Sequence, residues 1–135
     1  MISKVVYLGN LRTEATHLQS RNVIVTDAPV DNQGKGEAFS PTDLVATALA
    51  SCMITIMGIV ARRDAIDIDG ITADVEKIMS SDPRRIGEIR IKIIFPNPIR
   101  EKDQIKLERA AHACPVSGSL SENLNEVVEF IYPNS

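Results

Sequence analysis

The stretch SPTDLVATALASCMITIMGIVARR, residues 40–63, decides the fold of this chain. Ser40 is a suitable N-cap, Pro41 suits the first helical position, and Asp43 offers an acceptor three residues after the cap. The next eighteen residues, 44–61, carry no charge, and two arginines follow them. The pattern predicts one long helix that begins after Ser40 and is apolar around its whole circumference.

An uncharged run of this length would also be long enough to cross a membrane. We favour a core helix, because small and polar residues interrupt the run and because a membrane anchor seldom lies in the middle of a small domain. The interrupting residues are Thr47, Ser51, Thr55 and Gly58. A chain of 135 residues is too small to cover such a helix on all sides. We therefore expect a partner subunit to cover the remainder, and no membrane contact.

The segments on either side of this helix have the pattern of β-strands. Residues 5–29 are rich in β-branched side chains and contain turn signals, which predicts two or three antiparallel strands, and residues 31–40 have the composition of an exposed loop. Residues 71–83 alternate loosely, and residues 84–96 alternate clearly between apolar and charged side chains. These two segments predict a hairpin with one wet face and one apolar face, the latter carrying Ile89, Ile91 and Ile93.

The last third of the chain adds helices and a final strand. Residues 101–113 predict an amphipathic surface helix, with apolar positions at Ile105, Leu107 and Ala110–Ala111. Pro115 disfavours a helical backbone at Cys114 and, as the first residue of a new helix, would place that cysteine at the cap.

Residues 127–133, VVEFIYP, close the chain as a strand. The whole order predicts a single α+β domain over residues 1–135, with helices on one side of antiparallel sheet and the long helix buried at its centre.

Composition narrows the class of function. The net charge is −3, the mean hydropathy is −0.02, and no clustered basic run is present, which argues against nucleic-acid binding. The first ten residues, MISKVVYLGN, lack the pattern of a secretory signal, so we expect a cytoplasmic protein. In that reducing compartment, two cysteines suit metal or redox chemistry better than a structural disulfide.

The two cysteines have different predicted local environments. At a helix cap, Cys114 would face backbone N–H groups that favour its thiolate, and a protonated His112 would add to this effect. Cys52 lies in the middle of the apolar helix, where burial raises the pKa of a thiol unless a cation comes near. From these residues alone, Cys52 fits a small buried hydrophobe as well as a reactive thiol.

A metal site is the main alternative for these residues. The chain has only His17, Cys52, His112 and Cys114 as cysteine and histidine ligands, and zinc would accept such a set. Only His112 and Cys114 are close in sequence, so we expect no metal and no cofactor. A dithiol mechanism needs a thiolate, a cation that keeps it ionised and a second thiol, and two cysteines are enough for it.

Two segments, FSPTDLVATALASCMITIMGIVARR and AHACPVSGSL, resemble the paired cysteine motifs of the OsmC/Ohr family, the osmotically inducible and organic-hydroperoxide-resistance proteins. The resemblance spans most of the chain. It implies an OsmC-like fold in an intertwined homodimer, with active sites at the subunit interface. It also implies thiol-dependent reduction of an organic hydroperoxide, with a dithiol as the reductant.

The resemblance further implies roles for individual residues. Cys52 would be the peroxidatic thiol and Cys114 the resolving one. The family uses an arginine from the N-terminal strands, and Arg12 is the best match by position, with Arg21 second.

One position departs from the family. Its peroxidases carry a glutamate directly after the proline of the helix start, where this chain has Thr42. Asp43 is a candidate substitute but points about 100° further around the helix, and Glu37 in the preceding loop is another. This departure supports a second hypothesis, a catalytically weak OsmC-like protein that binds an apolar ligand in the dimer-interface cleft.

Overall fold

The computed structural model describes residues 1–134. Packing divides the chain into two compact units, Met1–Val45 and a second that starts at Ala46. The single domain expected over residues 1–135 stays a prediction.

The first unit is built on a three-stranded antiparallel sheet. Its strands are β1 (Ser3–Gly9), β2 (Arg12–His17) and β3 (Val23–Asp27), in that order across the sheet. The turn after β1 uses left-handed backbone at Asn10 (φ 55°) and Leu11 (φ 60°), as two-residue hairpin turns require. A short 3-10 helix at Val30–Asn32 follows β3. The predicted N-terminal strands are thus confirmed.

The long helix α1 runs over Pro41–Arg63 and has defined ends. Its start is a reciprocal cap, in which Asp43 N donates to Ser40 Oγ (3.0 Å) and Ser40 N donates to Asp43 Oδ2 (2.9 Å). Its end is a left-handed residue, Ala65 (φ 55°), after which Ile66 N donates to the Ala61 carbonyl at 2.8 Å. The predicted helix start is confirmed.

One face of α1 is buried within the chain. The buried residues repeat at helical spacing and are Ala46, Leu49, Ala50, Met53, Met57 and Ala61. Another face, which includes Val45, Thr55 and Ile59, is exposed, and Ile59 is 62% exposed. By length and composition alone α1 is able to cross a membrane, since its most apolar window has a mean hydropathy of 2.2, a property shared by core helices of soluble proteins. A single chain therefore covers this apolar helix only in part.

The second unit contains a three-stranded sheet with the order β4 (Thr72–Ser80), β5 (Arg85–Ile94) and β6 (Asn125–Ile131). β4 and β5 form the predicted antiparallel hairpin. Ile89, Ile91 and Ile93 face inward and belong to the same buried cluster as the inner face of α1. The predicted apolar face of the hairpin is confirmed.

The strand β6 corrects the expectation of purely antiparallel sheet. It pairs parallel to β5, from Glu88 opposite Asn125 to Ile94 opposite Ile131. Two helices, α2 (Glu101–His112) and α3 (Pro115–Ser119), lie between these strands. Such a helical crossover returns the chain to the end of the sheet where β5 began, so β6 must run in the same direction as β5. The α+β class itself is confirmed.

The buried face of α2 also differs from the predicted one. Ile105 is 55% exposed, whereas Asp103, Leu107 and Ala111 are buried at intervals of four residues. Burial of Asp103 is offset by Arg100, whose Nε and Nη2 both lie 3.1 Å from its carboxylate. The buried face of α2 therefore includes Asp103, paired with Arg100, and not Ile105 as predicted.

Candidate redox site

The two cysteines lie together in the second unit. Cys52 projects from α1 and is half-buried, and Cys114 lies between α2 and α3 with 1% exposure. They are 3.6 Å apart, and both are free thiols. A disulfide needs a sulfur–sulfur distance of about 2.05 Å, so a small movement would allow the two cysteines to form one.

The positions of the thiols give them unequal access to solvent. Cys52 precedes the buried Met53 and lies at the edge of the inner face of α1, packed against the core without being enclosed by it. Cys114 is part of the buried core. An electrophile that approaches from outside therefore reaches Cys52 first.

The backbone at Cys114 follows the sequence prediction. It is extended (φ −70°, ψ 146°), Pro115 is the first residue of α3, and Cys114 Sγ accepts a hydrogen bond from Ser117 N at 3.3 Å. Proline restrains the preceding residue to this region, which explains the cap.

The prediction that the helix cap makes Cys114 more acidic is wrong. Burial raises the pKa of Cys114 above its usual range, and it outweighs the Ser117 N–H, which lowers the pKa; neighbouring Cys52 raises it further. Because desolvation of the thiolate exceeds the effect of the cap, Cys114 is held as a neutral thiol.

His112, a candidate supporting residue for Cys114, has a packing role among the described contacts. Its ring is exposed and meets the ring of Phe130 edge-on, with centroids 5.7 Å apart. The other histidine, His17, lies with Nδ1 2.6 Å from Ser20 Oγ in the turn after β2. Within residues 1–134, no group of three or more His, Cys, Asp or Glu side chains is placed to hold a metal ion.

The candidate arginine lies in the first unit, where acidic residues hold it. Arg12 Nε and Nη2 contact Asp27 Oδ1 (2.7 Å) and Oδ2 (2.8 Å), and Nη2 also contacts Glu37 Oε1 at 3.1 Å. Asp27 is 1% exposed and accepts a further hydrogen bond from Glu37 N (3.1 Å). The Arg12 hydrogen bonds lower the pKa of Asp27 against the opposing effect of burial. This cluster carries one cation and two carboxylates.

Asp27 is a member of this cluster that the sequence analysis missed. It ends β3 directly opposite Arg12 in the register of β2 and β3. In the sequence, this aspartate precedes Ala28 and Pro29 and counted only among the turn signals of residues 5–29. Counting the hairpin register back from the turn would have placed the aspartate across from Arg12.

The remaining candidates have local roles. The Asp43 carboxylate accepts from Ser40 N in the α1 cap. Arg21 is exposed in the turn between β2 and β3, with left-handed backbone (φ 68°), and its N–H donates to the His17 carbonyl at 2.7 Å. The structure thus brings Cys52 to Cys114 in one unit, and Arg12 to Asp27 and Glu37 in the other.

Comparison with known proteins gives consistent results. The family model for OsmC-like protein matches residues 34–128. A structure from Psychrobacter arcticus 273-4, provisionally assigned to osmotic stress induction and the detoxification response, is 55% identical with a TM-score of 0.94, over 96% of this chain and 95% of that chain. The comparison with curated proteins gave no match.

More distant structures share the fold. An organic hydroperoxide resistance protein OsmC from Legionella pneumophila is 18% identical, with a TM-score of 0.76 over 96% of this chain and 95% of that one. One from Elizabethkingia anophelis is 14% identical, with a TM-score of 0.76 over 98% and 97%. The family-model match over residues 34–128 and the 55% identical relative show that this chain belongs to the OsmC-like protein family.

Proposed function

We propose that this protein reduces organic hydroperoxides with a thiol pair, in which Cys52 attacks the peroxide and Cys114 resolves the oxidised product. The observation that carries the proposal is the pair of free cysteines 3.6 Å apart, of which Cys52 is half-buried and Cys114 is fully buried. Two distant solved structures with the same fold are named for organic hydroperoxide resistance, which supports the choice of substrate class.

The reaction proceeds in two covalent steps. The Cys52 thiolate attacks the terminal oxygen of the hydroperoxide, an S–O bond forms, the O–O bond breaks, and the alkoxide takes a proton and leaves as an alcohol. The Cys114 thiolate then attacks the sulfur of the Cys52 sulfenic acid, the S–S bond forms, and hydroxide leaves and is protonated to water. A dithiol reductant returns two electrons by thiol–disulfide exchange and restores both thiols.

Burial supports this assignment of roles. Cys114 is enclosed and its pKa is raised, so it is a poor first nucleophile and is protected from the peroxide. Once Cys52 is oxidised, Cys114 is close enough for a small movement to form the disulfide. The buried thiol is therefore suited to the second step alone.

In this proposal Arg12 supplies the positive charge that favours the Cys52 thiolate. Arginine stays ionised at all working pH values, and contacts from two sides fix its guanidinium plane. Asp27 and Glu37 provide those contacts, which is the task assigned to a glutamate after the helix proline in the family's peroxidases. The presence of Thr42 is then compatible with an oriented arginine.

We also propose a cytoplasmic homodimer. The first unit exposes many large apolar side chains on its strands, and α1 exposes Ile59. The exposed strand residues include Val5, Val6, Tyr7, Leu8, Val23 and Ile24. Exposed apolar side chains in this number are typical of protein interfaces, and we propose that a second copy of the chain covers them.

The proposal is tested by turnover of cumene hydroperoxide with dithiothreitol. Cys52→Ser should abolish turnover, because the attacking sulfur is removed. Without dithiothreitol, Cys114→Ser should consume about one equivalent of peroxide and accumulate a sulfenic acid that dimedone traps. Ser51→Ala, a change at an exposed neighbour of Cys52, serves as the matched control and should keep full activity. Equal consumption by wild type and Cys52→Ser would overturn the proposal.

An apolar groove in the first unit favours a second candidate function, the binding of an apolar ligand with little catalysis. The groove has a volume of about 590 Å³ and is lined by Ile24, Val25, Ala38 and Phe39 beside two acidic residues. Intact-mass analysis after peroxide treatment separates the two functions. Loss of two hydrogens per chain supports the thiol enzyme, whereas unchanged thiols together with binding of a fluorescent long-chain alkyl probe support the ligand binder.

A further inference from the structure

A polar link ties the backbone beside Cys114 to the neighbouring sheet. Ser117 N donates to Cys114 Sγ at 3.3 Å. The Ser117 hydroxyl lies 2.8 and 3.0 Å from the two carboxylate oxygens of Glu126, so its proton is shared between them. Glu126 belongs to β6 and pairs with Ile89 of β5. One serine therefore contacts the thiol with its backbone and the sheet with its side chain.

We propose that Glu126 is a positioning residue for the resolving thiol, since it holds the Ser117 N–H on the Cys114 sulfur through the Ser117 hydroxyl. The inference rests on the proposed function, in which Cys114 attacks the oxidised Cys52. Glu126 does not touch either sulfur in this mechanism. It acts on the second step and on the later release of Cys114 when the disulfide is reduced.

The short helix α3 needs such an anchor. It has five residues, all exposed or half-buried, and a single helical turn has little stability by itself. Val116 and Leu120 pack partly against the core at either end. The bond from Ser117 to Glu126 fixes the turn between them against β6, and thereby fixes the direction of the N–H that meets the sulfur.

The electrostatics of Cys114 make the proposal testable. Cys52 is the titratable group that faces it from α1, and the N–H groups of Ser117 and Val116 favour its thiolate. A carboxylate acting only by its charge would oppose the thiolate. A carboxylate acting through Ser117 favours the thiolate, because it keeps a hydrogen-bond donor in place. The two modes of action therefore shift the pKa of Cys114 in opposite directions.

The test is a pH titration of thiolate ultraviolet absorbance in a Cys52→Ser background, where Cys114 is the one remaining thiol. Adding Glu126→Ala or Ser117→Ala should raise the pKa of Cys114 by about one unit, the effect of losing a hydrogen bond to a charged group. Glu126→Gln should restore the original pKa, because its amide oxygen accepts from the same hydroxyl. Glu129→Ala is the matched control, since it removes an exposed carboxylate from the same strand.

Two results would overturn the proposal. If Glu126→Ala and Glu126→Gln both lower the pKa of Cys114, Glu126 acts by its charge. If Glu126→Ala and Ser117→Ala both leave the pKa of Cys114 unchanged, the hydrogen bond between Ser117 and Glu126 does not position the N–H that meets the sulfur. Circular dichroism confirms that each variant is folded, and Ser117→Ala, which deletes one oxygen from a half-buried residue, carries the test if Glu126→Ala unfolds.

A kinetic arm separates this inference from the proposed function. In the chain with both cysteines, Glu126→Ala should prolong the lifetime of the Cys52 sulfenic acid about tenfold at neutral pH, the equivalent of one pKa unit. The rate of the first peroxide attack should stay unchanged. If the wild-type protein fails to consume peroxide, the enzyme proposal falls, while the Cys52→Ser titration still decides the role of Glu126.

Discussion

At the scale of single residues, burial and a helix cap act in opposite directions on the Cys114 sulfur. The cap directs the backbone N–H groups of Ser117 and Val116 at it, and the core removes almost all of its water. Desolvation is the larger effect, so the pKa of Cys114 lies above the usual thiol range. The helix cap alone predicts that Cys114 is the reactive thiol, whereas its burial suits it to the resolving step.

The pH dependence of disulfide formation should reflect this raised pKa. Because attack on the sulfenic acid needs the Cys114 thiolate, its rate should increase steadily from about pH 7 to about pH 9 without levelling at the usual thiol pKa near 8.5. Quenched-flow mass spectrometry after one equivalent of peroxide measures the step. A rate that is already constant at neutral pH would contradict the assignment.

Asp27 should contribute to stability in a pH-dependent way. Its pKa is lowered in the folded protein, so its stabilising effect is fully present above the usual aspartate pKa near 4 and is lost as the pH falls through the lower folded value. Asp27→Asn should lower Tm at pH 7 and flatten the fall of Tm in acid. The exposed Asp74→Asn is the control and should follow the wild-type profile. Parallel acid profiles for Asp27→Asn and wild type would refute this.

At the scale of elements, the ends of α1 are fixed by specific local contacts. The Ser40 hydroxyl accepts the Asp43 N–H at the start. Ser40→Ala should lower the free energy of unfolding by about 1 kcal/mol, the usual loss for a serine cap. Urea denaturation measures it, with the exposed Ser81→Ala as a control that should change little.

The other end of α1 contains a residue in an unfavourable conformation. Ala65 is left-handed, where a Cβ is penalised and glycine is preferred. Ala65→Gly should raise the free energy of unfolding by about 0.5–1 kcal/mol after the added flexibility of the unfolded chain is subtracted. Ala110→Gly, inside α2, should do the opposite and cost about 1 kcal/mol. Destabilisation by both variants would show that Ala65 is not strained.

At the scale of the whole molecule, the proposed homodimer should be measurable by sedimentation equilibrium. We expect twice the 14.8 kDa mass of the chain at micromolar concentration. Ile59→Asp, a change on the open face of α1, should weaken dimerisation by about tenfold or more, as expected for an apolar side chain that loses its burial. Ile105→Asp alters an isoleucine of similar exposure on α2 and should leave the mass unchanged. A monomeric wild-type protein would contradict the proposal.

The sequence by itself determined the features that depend on a few neighbouring residues. The Ser40 cap, the extended backbone of Cys114 before Pro115 and the alternation through Ile91 were all readable, because capping, proline sterics and strand periodicity act over one to four residues. The resemblance to the family assigned the peroxidatic role to Cys52 and added Arg12 as a candidate.

Tertiary structure alone decided the parallel direction of β6, the pairing of Asp27 with Arg12, the link from Ser117 to Glu126 and the sign of the Cys114 pKa shift. Each depends on groups that are far apart in the chain and meet only after packing. Desolvation in particular sums the effect of every neighbour that displaces water, so no short segment contains it.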